Sequence, residues 1–289
     1  MNKEVSPLIW GAMVFISLIW GSSFILIKQG LVAYTPVQVA AIRMFFAGLV
    51  LLPFGWKGVK KMRQRDVFFI LFVGIIGSGI PAFLFALAET EVSSGLAAIL
   101  NALVPTNTFL FGLLLFGTVF QWNKLVGLLI GLIGAFYLIW ITNDLESATA
   151  SSFAFLIIAA TICYGINVNM VKRYCQHIPP VTLSMTSYVI VMPLATIILL
   201  STDFTTRVGS PEGQTALFYL FLLGSFGTAL AICIFYWITQ KTDAFFASNV
   251  TYLIPVVAVG WSIYAGELIV WQHLIGLAFI LGGVFLASR

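Results

Sequence analysis

The run from Ser93 to Phe116 is apolar along almost its whole length, yet its centre reads Asn101-Ala102-Leu103-Val104-Pro105. Proline has no backbone N–H, so Pro105 gives nothing to the carbonyl of Asn101 four residues back. One spot at the middle of the run therefore offers a freed carbonyl and a side-chain amide. In hydrocarbon each unsatisfied polar group costs several kcal/mol, so such a spot must face protein or a watery cavity. The device recurs. Ala244 to Ala265 is a second apolar run, centred on Asn249-Val250-Thr251-Tyr252-Leu253-Ile254-Pro255, where Pro255 frees the carbonyl of Thr251. Two proline-broken helices at corresponding places in two halves of a chain point to a binding site near mid-membrane.

The rest of the sequence agrees with a membrane setting. A run of about 20 apolar residues can cross a bilayer as a helix. Ten such runs are present, at about 8–28, 36–56, 67–88, 93–116, 123–141, 153–173, 180–201, 214–239, 244–265 and 270–288. The chain is 61% hydrophobic and 8% charged, against about 25% charged in a soluble domain. The expected fold class is an all-α integral membrane protein. The gaps are short and carry turn signals such as Thr35-Pro36, Asn143-Asp144 and Gly209-Ser210-Pro211. A net charge of +4 invites a nucleic-acid reading, but the basic residues sit in gaps between apolar runs, where they act as topology signals. The partners expected are a lipid bilayer and a small-molecule substrate, with no nucleic acid; a monomer is compatible with this. Cys163, Cys175 and Cys233 have no metal or disulfide spacing. The first run lacks a small-residue cleavage site after a short core and reads as a retained helix.

Ten alternating helices put both termini on one side. That side collects Lys3, Lys57, Lys60, Lys61, Arg63, Arg65, Lys124, Lys172, Arg173, Lys241 and Arg289; the other has Lys28 and Arg207, and Arg43 lies inside a span. The positive-inside rule then makes both termini cytoplasmic.

The halves also repeat. A shift of 144 places Gly21 on Gly165, Lys28 on Lys172 and Pro36 on Pro180; 150 places Gly74 on Gly224, Gly77 on Gly227, Ser78 on Thr228 and Pro105 on Pro255; 149 places Gly117 on Gly266, Trp122 on Trp271 and Gly134 on Gly283. The units expected are residues 1–142 and 152–289. Each holds an odd number of helices, five, so the second enters from the opposite side. The two are expected to be inverted repeats, with the site at their interface.

With these residues in place the chain resembles the EamA family of the drug/metabolite transporter superfamily. The features that carry the resemblance are Trp20-Gly21-Ser22-Ser23-Phe24 with Lys28 in the first run, Arg43 in the second, Pro105 in the fourth, and then Pro255, Gly266-Glu267, Gln272 and Gly276-Leu277. It covers nearly the whole chain. It implies export or exchange of small metabolites, amino acids prominent among them, through a central cavity lined by helices one, three, four, six, eight and nine. One departure stands out: the fourth run ends Gly117-Thr118 where the family has Gly-Glu.

The candidate substrate-binding residues are Trp20, Ser23, Phe83, Asn101, Tyr164, Asn167, Asn249 and Tyr252. Asn101, Pro105, Thr108 and Gly112 share a helix face. That face is either a cavity wall or a close helix contact of small residues. Asn249 and Tyr252 share a face in the ninth helix. Tyr164 and Asn167, polar at membrane depth and therefore inward-facing, match Trp20 and Ser23 under the 144 shift. The candidate gating or structural residues are Arg43, Gly77, Pro81, Pro105, Gly227 and Pro255. The glycines make helices three and eight thin, for close packing or for hinging. Arg43 lies about 10 Å along the second helix from Pro36 at 1.5 Å per residue and needs a partner. Glu89 and Glu91 stand at helix ends on that side, and the residue is a strut, a gate element or a partner for a substrate carboxylate.

No Asp or Glu lies at mid-depth in any run, so strong proton coupling is disfavoured against facilitated diffusion or exchange. No phosphate-loop, His-Glu-x-x-His or Gly-x-Ser-x-Gly motif occurs. Neither a catalytic residue nor a metal or other cofactor is expected. The reading is an inner-membrane carrier for an amino acid or related compound, working by alternating access. A channel-like facilitator and a membrane-embedded enzyme are its rivals.

Overall fold

The computed structural model describes residues 6–60, 62–145, 148–266 and 270–287. Lys3, Lys61, Glu267 and Arg289 lie outside them. The described chain is helical, in the order α1 (Pro7–Leu31), α2 (Pro36–Leu51), α3 (Asp66–Ala88), α4 (Ser94–Phe116), α5 (Trp122–Leu145), α6 (Ala148–Tyr174), α7 (Pro180–Leu200), α8 (Pro211–Lys241), α9 (Ala244–Tyr264) and α10 (Trp271–Ala287), with single turns at Trp56–Val59 and Phe204–Val208. Among the described residues seven stretches are long and apolar enough to cross a membrane: α1, α3, α4, Ser152–Tyr174 of α6, α7, α8 and α9. The runs expected at 36–56, 123–141 and 270–288 hold shorter apolar helices, Pro36–Leu51, Leu125–Gly134 and Trp271–Gly283.

The helix starts follow from the gap residues. Ser6, Ser93, Ser210 and Asp243 each accept a hydrogen bond from a first-turn N–H, and Thr35 with Gln38 forms a capping box ahead of Pro36. Gly117 and Gly266 follow the ends of α4 and α9 at φ +70° and +76°, a conformation that suits glycine and closes a helix C-terminus.

Four helices are irregular at mid-length, and the irregularities come in repeat-related pairs. In α3 a π-helical segment spans Ile75–Gly79 and in α8 another spans Leu223–Leu230. In α4 the helix stops at Asn101 and restarts at Val104; in α9 a 3-10 turn, Asn249–Tyr252, precedes a restart at Ile254. Pro81, Pro105 and Pro255 each sit in the first turn of the segment that follows such an interruption, where a missing N–H costs nothing.

Close packing depends on glycine, again in matched pairs. A β-carbon on Gly21 of α1 would meet Val257 of α9 at 2.5 Å; one on Gly165 of α6 would meet the Asn107 backbone of α4 at 2.7 Å. A β-carbon on Gly74 would lie 2.8 Å from the Ser187 carbonyl oxygen, and one on Gly224 would lie 2.9 Å from that of Arg43. Gly134 of α5 packs on the Gly276 carbonyl of α10, and Gly283 of α10 on the Gly127 carbonyl of α5. Small residues let helices approach where lipid offers no hydrophobic drive to associate.

A cavity between the two halves

The irregular segments converge on one cavity, with about 820 Å³ of empty space counting the part open to solvent. Its lining falls into repeat-related partners. Trp20 faces it with Tyr164, Ser23 with Asn167, and Phe24 with Val168, each pair 144 apart; Gly77 with Gly227, Ser78 with Thr228, Phe85 with Phe235, Asn101 with Thr251, and Val104 with Ile254 are each 150 apart. Met44 and Tyr188, also 144 apart, complete the matched set; Arg43, Ile27 and Ile232 add the rest.

The contacts repeat as well. The Trp20 and Phe235 rings meet edge-on at 5.2 Å, and their counterparts Tyr164 and Phe85 stack at 6.1 Å. Two aromatic pairs thus belong to the lining, suited to a flat or apolar ligand body. Ser23 comes so close to α8 that a β-carbon on Gly227 would lie 2.7 Å from its Oγ, and one on Gly77 would fall on the Asn167 amide.

The π-helical segments change which backbone and side-chain groups point inward. Trp20 Nε1 donates to the Gly227 carbonyl at 2.9 Å. Thr228 Oγ1 donates to the Leu223 carbonyl at 3.0 Å and accepts from Arg43 Nε at 2.7 Å. In the other half Tyr188 OH donates to Ser78 Oγ at 2.9 Å. Arg43 thus has a hydroxyl partner on α8, whereas the sequence pointed to Glu89 or Glu91.

Several buried acceptors are left without a partner. Asn101 Oδ1 and Asn167 Oδ1 both belong to cavity residues and accept nothing from the protein, while Asn167 Nδ2 lies 3.4 Å from Tyr236 OH. A buried amide oxygen without a donor costs about 1–3 kcal/mol. Asn169, by contrast, is occupied: its Nδ2 donates to the Thr108 and Gly165 carbonyls at 2.7 and 2.9 Å. Asn107 Nδ2 donates to Thr161 Oγ1 at 2.9 Å. These bonds tie α4 to α6. Thr108 Oγ1 turns back to the Val104 carbonyl; Pro105, Thr108 and Gly112 do not line the cavity, so below Asn101 that face is a helix contact.

Of the sequence candidates, the cavity brings together Trp20, Ser23, Asn101, Tyr164, Asn167, Arg43, Gly77 and Gly227. Phe83, Asn249 and Tyr252 are not in its lining, nor are Pro81, Pro105 and Pro255. Thr251 and Phe85 take the places expected of Asn249 with Tyr252 and of Phe83. Both were within reach of the sequence, since the 150 shift that pairs Pro105 with Pro255 also pairs Asn101 with Thr251 and Phe85 with Phe235.

Known proteins agree with this architecture. An inner membrane transporter of Escherichia coli K12, YedA, is 28% identical over 89% of this chain and 82% of its own length. A protein of Salmonella typhimurium named "Probable amino-acid metabolite efflux pump" is 24% identical, with 94% of this chain and 92% of its own covered. One of Streptantibioticus cattleyicolor named "Probable terminal-alkyne amino-acid exporter" is 25% identical, with 99% and 95% covered. A solved crystal structure shares the fold with a TM-score of 0.67 at 17% identity, covering 96% of this chain and 95% of that one. The EamA-like transporter family matches twice, over residues 8–140 and again over 151–289. With both halves matched and the paired helices meeting at one cavity, this multi-pass membrane protein belongs to the EamA-like transporter family.

Proposed function

We propose that the protein is an inner-membrane carrier of a small metabolite, an amino acid or a related compound, and that it exports it by alternating access. The observation that carries this reading is the composition of the cavity: its walls are repeat-related residues from both halves, meeting where α3, α4, α8 and α9 are irregular. A site shared by two inverted units lets one sequence build inward-open and outward-open arrangements. The matched glycine contacts, Gly21 with Val257 against Gly165 with Asn107 above all, support a two-fold relation between the halves. The names of the Salmonella and Streptantibioticus relatives support an amino-acid-like cargo.

The polar groups suit binding without chemistry. Among the described residues no group of His, Cys, Asp and Glu is placed to hold a metal ion, and the cavity lining holds hydroxyls, amides and one guanidinium. The charge bias of the gaps supports cytoplasmic termini. The test is thermal stabilisation of the purified protein across amino acids, nucleosides and polyamines, because a ligand that binds the native state raises its melting temperature. Stabilisation by amino acids is expected. Stabilisation by nucleosides or polyamines alone would overturn the cargo.

A further inference from the structure

The cavity is electrically one-sided. Among the described residues that line it, Arg43 is the only charged side chain. Its repeat counterpart under the 144 shift is Ser187, and the wall there offers the neutral Tyr188–Ser78 hydroxyl pair. Arg43 Nε is engaged by Thr228 Oγ1 at 2.7 Å, which fixes the plane of the guanidinium; the two terminal nitrogens carry four more N–H donors. Arg43 lines the same cavity as Tyr164 and Tyr188.

The two ends of a zwitterion would therefore meet unequal partners. A carboxylate at Arg43 gains a charge-assisted pair in a fork geometry that matches it, inside a low-dielectric cavity where that pair is strengthened. An ammonium group finds no carboxylate in the lining. It meets neutral groups: the amides of Asn101 and Asn167, hydroxyls such as Ser23 and Thr251, and the aromatic rings of Trp20 and Tyr164.

We infer that the carboxylate is the obligatory group of the ligand and the ammonium the dispensable one: the substrate class is small monocarboxylates with an apolar or aromatic body, α-amino acids among them, with the carboxylate held at Arg43 and Thr228. This rests on the proposed carrier reading and narrows its cargo.

Matched triplets test it: phenylalanine, 3-phenylpropionate and phenethylamine, and leucine, 4-methylpentanoate and 3-methylbutylamine. Binding is measured on the purified wild-type protein by thermal shift titration. At least one triplet is expected to bind with its acid members about tenfold or more tighter than the amine. Arg43→Gln should abolish that difference; Arg43→Lys, which keeps the charge without the fork, should retain part of it. Amines binding as well as the acids would overturn the inference and leave the carrier reading standing. Undiminished discrimination in folded Arg43→Gln would overturn the assignment to Arg43. Should Arg43→Gln fail to fold, the wild-type panel and Arg43→Lys still decide the point. Binding by no member of either triplet would remove the inference together with the amino-acid reading.

Discussion

A β-carbon added to Gly77 would fall on the side-chain amide of Asn167, 2.5 Å from its nitrogen. The π-helical segment of α3 thus leaves room for one polar residue of α6, as the one in α8 leaves room for Ser23 of α1 at Gly227. Both residues of each pair line the cavity. The first prediction follows from what each glycine faces. Gly77→Ala meets only a side-chain tip, which can turn away, so melting should change little while ligand affinity falls as the Asn167 amide is displaced. Gly165→Ala meets the Asn107 backbone at 2.7 Å and should cost about 1–3 kcal/mol by overpacking. Gly260→Ala, with nothing within 4 Å, is the neutral control. Equal melting temperatures for the Gly165 and Gly260 variants would contradict the packing account.

Asn101 gives a second prediction. Its Oδ1 is buried and without a partner, so Asn101→Ala removes a desolvated acceptor and should leave the empty protein as stable or slightly more so. If the ligand supplies the missing donor, affinity should weaken by about 1–3 kcal/mol. Thr251→Val, at the matching place in α9, should do the same to a smaller degree. Lower melting with unchanged affinity in both variants would make the residues struts.

Pro105→Ala is the companion test. It restores an N–H that can close onto the Asn101 carbonyl and smooth the break at Ala102–Leu103, where the helix now restarts at Val104. Gain in thermal stability with loss of transport is the expected pair of results. Transport at the wild-type rate would show that the interruption is not needed for the cycle.

Orientation can be read with single cysteines in a background of Cys163→Ala, Cys175→Ser and Cys233→Ala. Lys60→Cys, in the basic α2–α3 loop, should be shielded from a membrane-impermeant thiol reagent in intact cells. Thr205→Cys, in the α7–α8 loop, should be labelled. Both positions are exposed. The opposite labelling pattern would place the termini outside the cytoplasm and reverse the positive-inside assignment.

Much of the site could be read before the fold was known, because it rests on polar or small residues inside apolar runs, where each such residue needs a reason. Trp20, Ser23, Asn101, Tyr164, Asn167, Gly77 and Gly227 were legible for that cause. Phe83, Asn249 and Tyr252 lie outside the cavity lining. The π-helical segment at Ile75–Gly79 shifts the phase of the helix that follows it, and Phe85, not Phe83, lines the cavity. Residues 249–252 form a 3-10 turn with three residues per turn, so Asn249 and Tyr252 keep a common face, but that face lies outside the cavity lining, which takes Thr251 instead. Neither has a polar counterpart under the 150 shift, which pairs them with Ile99 and Ala102. The partner of Arg43 was not legible because Thr228 is distant in sequence and presented by a π-helical segment.

Counterflow tests the central claim most directly. Proteoliposomes holding the purified protein are loaded with unlabelled phenylalanine, or with whichever amino acid stabilises the protein most, and diluted into the labelled compound at low concentration. A carrier whose cavity opens alternately to the two sides gives a transient accumulation of label above equilibrium, saturable in the external compound and lost in Asn101→Ala. Label that only equilibrates, at a rate linear in concentration and indifferent to what the vesicles contain, would mean a channel and contradict the alternating cavity.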